Sequence, residues 1–336
     1  MSGVVSAADG AIVSRRSGPG VGRLVLARVL WAIPTLIFIT FLTFVIGELA
    51  PGDAATALAG EKGSSSPEVI ERLREDLGLN DPLLTRYGRF VADALRLDFG
   101  KSWYPPFSEV RSILGQGFAL TGLLALCAIA VASIVGVLLG AIAGIWHGRW
   151  PDKVATTFST FGICIPTFVL APVFVFIFAI RMKALPDTWV DNPPEGIFWY
   201  LVLPVSILAM RPAAVITRLT RASMVDTLGQ DFIRTAYAKG VPFWRTMTVH
   251  AFRNSLVPVT TAIGTSFGYL LTGSFILETY FRIPGLGLRS IDAIYQGDFP
   301  VVQATVLLFA VLFILVNLVV DLLLPQLDPR IRTGGA

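Results

Sequence analysis

Residues Gly117–Trp146 read GFALTGLLALCAIAVASIVGVLLGAIAGIW, without one Asp, Glu, Lys or Arg. A helix needs about 20 mostly apolar residues to cross the hydrocarbon core of a bilayer. This run therefore predicts a spanning helix with length to spare. Gly136, Gly140 and Gly144 recur at every fourth position inside it, a small-residue ladder that lets another helix approach closely. Working outward, further apolar runs occupy 29–49, 154–180, 197–217, 255–280 and 300–324. The pattern predicts an all-α polytopic membrane protein with six transmembrane helices.

Composition points the same way. Of 336 residues, 54% are hydrophobic and 15% charged, and the mean hydropathy is +0.69. Soluble domains carry about 25% charged residues. The net charge of +4 and pI near 9.2 come from short basic loops, with no aromatic-interleaved basic stretch of the nucleic-acid-binding kind. Cys127 and Cys164 lie inside apolar runs, and His147 and His250 fall far apart in polar connections. That is too few ligands, badly spaced, for a metal site or a disulfide framework. No phosphate-binding glycine loop, nucleophile triad or HExxH pattern is present. The chain predicts no catalytic residues, no metal and no cofactor.

The loop charges set the topology. The 147–153 connection carries Arg149 and Lys153 against Asp152, and the long 218–254 loop carries Arg218, Arg221, Arg234, Lys239, Arg245 and Arg253 against Asp226 and Asp231. The 181–196 and 281–299 loops are balanced or slightly acidic. The positive-inside rule then places both termini in the cytoplasm. Residues 1–28 read as a cytoplasmic arm, disordered at its start, 29–49 as the first transmembrane helix and 50–116 as an external helical segment. Residues 117–324 form a core of five transmembrane helices with the cytoplasmic loop 218–254, and 325–336 a cytoplasmic tail. The run at 29–49 is longer than the apolar region of a signal peptide, the competing reading of its N-terminal position.

Within 50–116, Ser66 is placed to cap a helix that has Pro67 at its first position, with Val69, Ile70, Leu73 and Leu77 on one face. Asp81-Pro82 starts a second, with Leu84, Tyr87, Val91 and Leu95 on one face. Both read as amphipathic helices lying on the membrane, against a partner, or in a small packed cap.

The loop between the fourth and fifth runs is the most informative. In Asp231-Phe232-Ile233-Arg234-Thr235-Ala236-Tyr237-Ala238-Lys239-Gly240, Asp231 is placed to cap a short helix. Phe232, Ile233, Ala236 and Tyr237 share one face, and Gly240 ends the helix just before Pro242. Phe243 and Trp244 add exposed aromatic surface. A short amphipathic helix held between two spans suits a groove on another protein, or the lipid surface.

Here the sequence resembles a known family. Gln230–Gly240 is similar to the coupling segment of oligopeptide/dipeptide-type permeases of type I ABC importers. Supporting matches run along most of the chain. They include Pro51-Gly52-Asp53, Leu77–Leu83, Leu97–Ser102, Arg218–Met224, Arg253–Pro258, Leu277–Phe281, Pro284–Gly287 and Leu327–Arg332. The resemblance implies a type I importer permease fold and a pore-forming subunit that moves di- or oligopeptides from a binding protein into the cytoplasm. Nickel chelates, haem and glutathione are the alternative cargoes of that family. It implies several partners: a second homologous permease subunit, two ATPase subunits that hydrolyse ATP, an extracytoplasmic substrate-binding protein and the lipid bilayer. It also implies a bacterial or archaeal cytoplasmic (inner) membrane. Coupling to the ATPase would fall to Asp231, Phe232, Arg234, Thr235, Ala236, Tyr237 and Gly240. The broader importer motif opens on Glu-Ala-Ala and closes on Ile-x-Leu-Pro. Here those places read Arg234-Thr235-Ala236 and His250-Ala251-Phe252-Arg253, without the glutamate or the proline.

Two charges stand inside or at the end of spans. Arg211 lies in the fourth run, where a mid-bilayer charge costs roughly 2.5–3.5 kcal/mol on insertion scales. It either faces the translocation path or snorkels to the cytoplasmic edge. Glu278 ends the fifth run, where it greets a cargo amine in the path or caps the structure. Pro284, Gly285 and Gly287 form a candidate external gate or binding-protein contact. Asp321 is expected to pair with a basic loop residue. A self-sufficient secondary transporter would need mid-membrane ionisable groups and inverted repeats, and only Arg211 qualifies. An intramembrane enzyme would need paired catalytic residues inside spans, and none is present.

Overall fold

A computed structural model describes residues 21–49, 55–56, 59, 66–76, 78–104, 106–191 and 196–327. Leu77, the Pro51-Gly52-Asp53 match, and the parts of the arm and tail before 21 and after 327 lie outside the described residues. Among the described residues the chain is helical, with one isolated bridge between Lys101 and Glu109. The helices are α1 (Val21–Leu49), α2 (Pro67–Asp76), α3 (Leu83–Leu95), α4 (Val110–Ile145), α5 (Trp150–Cys164) and α6 (Thr167–Phe174). They continue with α7 (Ile197–Leu228), α8 (Asp231–Ala238), α9 (Phe243–Arg245), α10 (Arg253–Phe281), α11 (Leu286–Gln296) and α12 (Phe299–Leu327). Wider π-helical turns extend α6 over Val175–Arg181 and join α9 to α10 over Thr246–Phe252.

Val25–Leu49, α4, α7 and Phe299–Leu322 are long and apolar enough to cross a membrane, and the bent pair α5–α6 makes a fifth if it is counted as one span. That pair is bent by 107°. The apolar run at 154–180 is broken at Pro166. Proline forces the preceding residue out of the helical region, and Ile165 sits at φ −85°, ψ 121°. Helix α10 has the length, at 29 residues. Its hydroxyls and glycines, such as Thr260, Thr261, Thr265, Ser266 and Gly268, keep it out of this apolar group.

Helix α7 is the axis of the bundle, packed by α4 along its length and by α5 and α10 on other sides. The glycine ladder of α4 makes this possible. A methyl group on Gly136, Gly140 or Gly144 would collide with Ile216, Thr220 or Met224 of α7. Leu124, Leu203, Ile207, Ile216 and Leu277 are the large buried side chains between these helices. Helix α1 rides on α12, and Arg28 pairs with Asp321 at 2.8 Å. The partner of Asp321 is thus on the first helix, not in a loop. Outward faces of α1 and α12 expose Trp31, Phe38, Leu42, Phe313 and Val319.

The segment between α1 and α4 is fastened at two places. Ser66 caps α2 through the Val69 N–H at 3.4 Å. Tyr87 of α3 packs on Phe41 and Phe44 and hydrogen-bonds Thr40 at 2.9 Å, while Arg86 grips Glu48 at 2.5 and 2.6 Å. Tyr87 therefore turns away from Leu84 and Leu95, which stay exposed. Near α12, the buried Asp298 carboxylate accepts from the Ser102 hydroxyl and the Trp103 N–H.

Candidate functional site

Helix α8 is held by one side only. Ile233 is buried against Met224, Met247 and Ala251, and Ala236 is buried as well. Phe232 and Tyr237 point outward, as do Phe243 and Trp244. The single apolar face expected from the sequence is thus divided, with two residues docking the helix and two aromatics presented to the surroundings. Trp244 also meets Trp146 edge to face, with ring centroids 6.5 Å apart, linking the segment to the end of α4.

The ends of α8 follow local rules. Gln230 is the N-cap, and Asp231 is the first helical residue instead of the cap. Its carboxylate sits at the positive helix end, where a negative charge is favoured, and pairs with Arg234 at 3.4 Å. Thr235 spends its hydroxyl on the Asp231 carbonyl. At the other end Gly240 has φ +75°. The Gly240 N–H reaches the Tyr237 carbonyl at 2.9 Å and the Val241 N–H the Ala236 carbonyl at 3.1 Å. These two bonds form a Schellman stop, which needs a residue at ease with positive φ.

Arg211 stands on the face of α7 that the bundle leaves open, in line with Val215 and Arg218. Its guanidinium lies over the Tyr269 ring of α10, 5.2 Å from the centroid. The two residues share a cavity of about 280 Å³ with Thr167, Leu208, Thr265 and Ser266. Hydroxyls and a cation on two central helices distinguish this face from the hydrocarbon surface of α1 and α12.

Glu278 is elsewhere. It is fully buried, accepts from the Thr121 hydroxyl at 2.8 Å and from the Gly287 N–H at 2.6 Å, and lies off the open face. Its carboxylate holds the turn at Gly287, which suits the capping alternative. Gly285 and Gly287 are buried against it, and a Cβ on either would collide with the carboxylate. Close packing against Glu278 accounts for both glycines. Pro284 is half-buried, and its carbonyl accepts from Arg289 at 3.2 Å. Burial pushes the Arg289 guanidinium below its ordinary value, against the charges of Asp191 and Asp292.

One cluster escaped the sequence reading. Asp152, buried at the start of α5, takes both Nε and Nη2 of Arg221 on α7, the Gly148 N–H at 2.8 Å and His147 Nδ1 at 3.1 Å. In sequence, Asp152 reads as a loop charge offsetting Arg149 and Lys153. A separation of 69 residues from Arg221 leaves no local period to find. No group of residues suited to holding a metal occurs among the described residues.

Comparison with known proteins bears on this arrangement. Residues 136–333 match the family model described as "binding-protein-dependent transport system inner membrane component". Residues 21–105 match the N-terminal model of such membrane components. The chain is 38% identical over 308 residues to the glutathione transport system permease protein GsiC of Escherichia coli K12, covering 92% of this chain and 98% of that protein. The proteins of that name from Shigella dysenteriae and Shigella boydii give the same identity and coverage.

Proposed function

The chain belongs to the binding-protein-dependent transport system inner membrane components, and on that premise we propose that it forms half of the pore of an importer for peptides. It is an ABC importer permease, a transport subunit and not an enzyme. A second permease subunit would complete the pore, two ATPase subunits would act from the cytoplasm, and a binding protein would deliver cargo from outside. Glutathione is a second cargo reading, favoured by the names of the relatives, and is itself a tripeptide.

In this reading six helices span a bacterial or archaeal cytoplasmic membrane: α1, α4, the bent pair α5–α6, α7, α10 and α12. Both termini lie inside, following the basic loops at 147–153 and 218–254. Helix α10 counts as a span because its hydroxyl-bearing face meets the path instead of lipid. The open α7–α10 face, with Arg211, forms part of the path wall.

The observation that carries the proposal is the one-sided docking of α8. Two buried residues tie it to the bundle, and Phe232, Tyr237, Phe243 and Trp244 remain to fill a groove on the ATPase. Movement of that groove is then delivered through Met224 and Met247 to α7 and α10. Gly240→Pro tests it. Proline cannot adopt positive φ and has no N–H for the Tyr237 carbonyl, so the end of the segment is reshaped while the spans are untouched. The expected result is a complex that inserts and assembles but loses cargo-stimulated ATP hydrolysis and uptake. Wild-type coupling in an assembled Gly240→Pro complex would sink the role.

A further inference from the structure

We propose that the cavity between α7 and α10 is a subsite for a carboxylate group of the cargo, with the Arg211 guanidinium as its clamp. The proposal rests on the reading that the open α7–α10 face lines the translocation path, and it adds the chemical class of what passes there.

Depth is the first argument. Trp199 is exposed in the first turn of α7, where an aromatic residue marks a membrane interface. Arg211 follows twelve residues later, about 18 Å further along the helix, and Arg218 about 10 Å beyond that. The hydrocarbon core is about 30 Å thick, so Arg211 sits well inside it. The guanidinium does not reach for the cytoplasmic edge. It turns sideways onto the ring of Tyr269, as a cation over an aromatic face does. A charge at that depth requires water or a counter-ion. Among the described residues no carboxylate lines the cavity and Arg211 makes no ion pair.

The surroundings define what fits. A cavity of about 280 Å³ is just below the usual lower bound of about 300 Å³ for small-molecule pockets. It takes one end of an extended cargo, not the whole. A single planar guanidinium, with no second cation in the lining, matches one carboxylate through two parallel N–H···O bonds. Ser266 adds a hydroxyl, and Thr167 brings the first turn of α6 to the rim, the positive end of that helix. An acceptor stands beside these donors. Pro212 has no N–H to give the Leu208 carbonyl four residues earlier, and Leu208 lines the same cavity. A group offering a carboxylate next to an amide N–H, as at the C-terminus of a peptide, answers both.

The test uses the assembled importer in nanodiscs. Phenylglyoxal modifies water-accessible guanidinium groups, and mass spectrometry follows its adduct on the Arg211 peptide. The probes are acetyl-trialanine and its C-terminal amide, each at up to about 50 mM. At about ten times its Kd a ligand leaves roughly one site in eleven open, so labelling of Arg211 is expected to slow about tenfold with the acid. The amide, lacking the anion, is expected to leave the rate unchanged. Equal protection by acid and amide, or none by either, would overturn the carboxylate clamp. Labelling itself would still support a watery path wall, so the pore reading survives that outcome. An Arg211 that resists phenylglyoxal in the assembled complex overturns the proposal differently, because its charge is then held by a partner subunit or by lipid.

Discussion

Arg221→Met takes away the two donors that bind the Asp152 carboxylate from α7. The magnitude follows from burial. Asp152 keeps 6% of its side-chain exposure and Arg221 28%, so the pair stands between the interior and the surface. Removing one partner of a buried pair costs about 3–5 kcal/mol, and exposed pairs contribute about 0–1 kcal/mol. The carboxylate is the dry partner and would be stranded, but His147 Nδ1, the Gly148 N–H and the Thr156 hydroxyl remain to it at 3.1, 2.8 and 3.3 Å. A loss of about 2–4 kcal/mol is therefore expected. Asp152→Asn keeps the shape, removes the charge and leaves Arg221 with water on one side. Combined with Arg221→Met it should cost little more than the worse single change, giving a coupling energy of about 1.5–3 kcal/mol. Unfolding of the purified chain by dodecyl sulfate in mixed micelles, read by circular dichroism, supplies the four free energies. A coupling energy under about 0.5 kcal/mol would mean the two sites act independently, and the claim that this pair fastens α5 to α7 would fall.

Two further outcomes follow from other parts of the bundle. Gly285→Ala forces a methyl group onto the Glu278 carboxylate and the Thr121 hydroxyl; it should destabilise by about 1–3 kcal/mol, and an unchanged midpoint in the same unfolding assay would contradict the packing. Burial pushes the Asp298 carboxyl above its ordinary 3.8, against the Ser102 hydroxyl and the Trp103 and Val301 N–H groups that favour the anion. A pKa raised in the folded state means the folded chain holds that proton more tightly, so the contribution is full below the ordinary value and is lost as pH rises through the raised one. Asp298→Asn should flatten the fall in unfolding midpoint on going from pH 4 to 7, and an identical slope in both proteins would exclude this group as its source.

Much of the bundle is legible because the determining signals are local. The apolar runs, the glycine ladder of α4, the Ser66 cap and the Gly240 stop each depend on residues within a turn or two. What escaped depends on distant arrivals. Glu278 at the end of an apolar run reads as path or cap until Thr121, 157 residues earlier, and the Gly287 N–H are seen as its donors. Pro166 announces a break, but the 107° turn is fixed by how α5 and α6 pack on α7. The period of α8 places Phe232, Ile233, Ala236 and Tyr237 together; only the docking site decides that Ile233 and Ala236 go in and the aromatics stay out. Arg211 stands out in the sequence as a charge inside an apolar run, while its neighbours Tyr269, Thr265 and Ser266 come from a helix more than fifty residues later.

The proposed mechanism asks how a push at α8 reaches the Arg211 cavity, and α7 supplies a continuous body between them. From Arg211 to Leu228 it is one uninterrupted helix apart from Pro212 at its start, about 25 Å at 1.5 Å per residue. Its lower end carries Met224 under Ile233, and its middle carries Arg221 on Asp152. Force on α8 would thus act on α7 where it packs closely on the glycine ladder of α4. The Asp152–Arg221 pair obliges α5 to travel with it, and α5 is joined across the Pro166 break to α6, whose Thr167 lines the cavity. Both walls of the cavity are therefore tied to the same handle. This makes a distinction the double-mutant variants can report: a complex carrying Arg221→Met should still bind the ATPase, yet transmit less of its stroke to the α6 wall. Cargo-stimulated hydrolysis that stays at the wild-type level while uptake drops would be the signature of that slippage. Uptake and hydrolysis falling in step would place the pair in assembly instead.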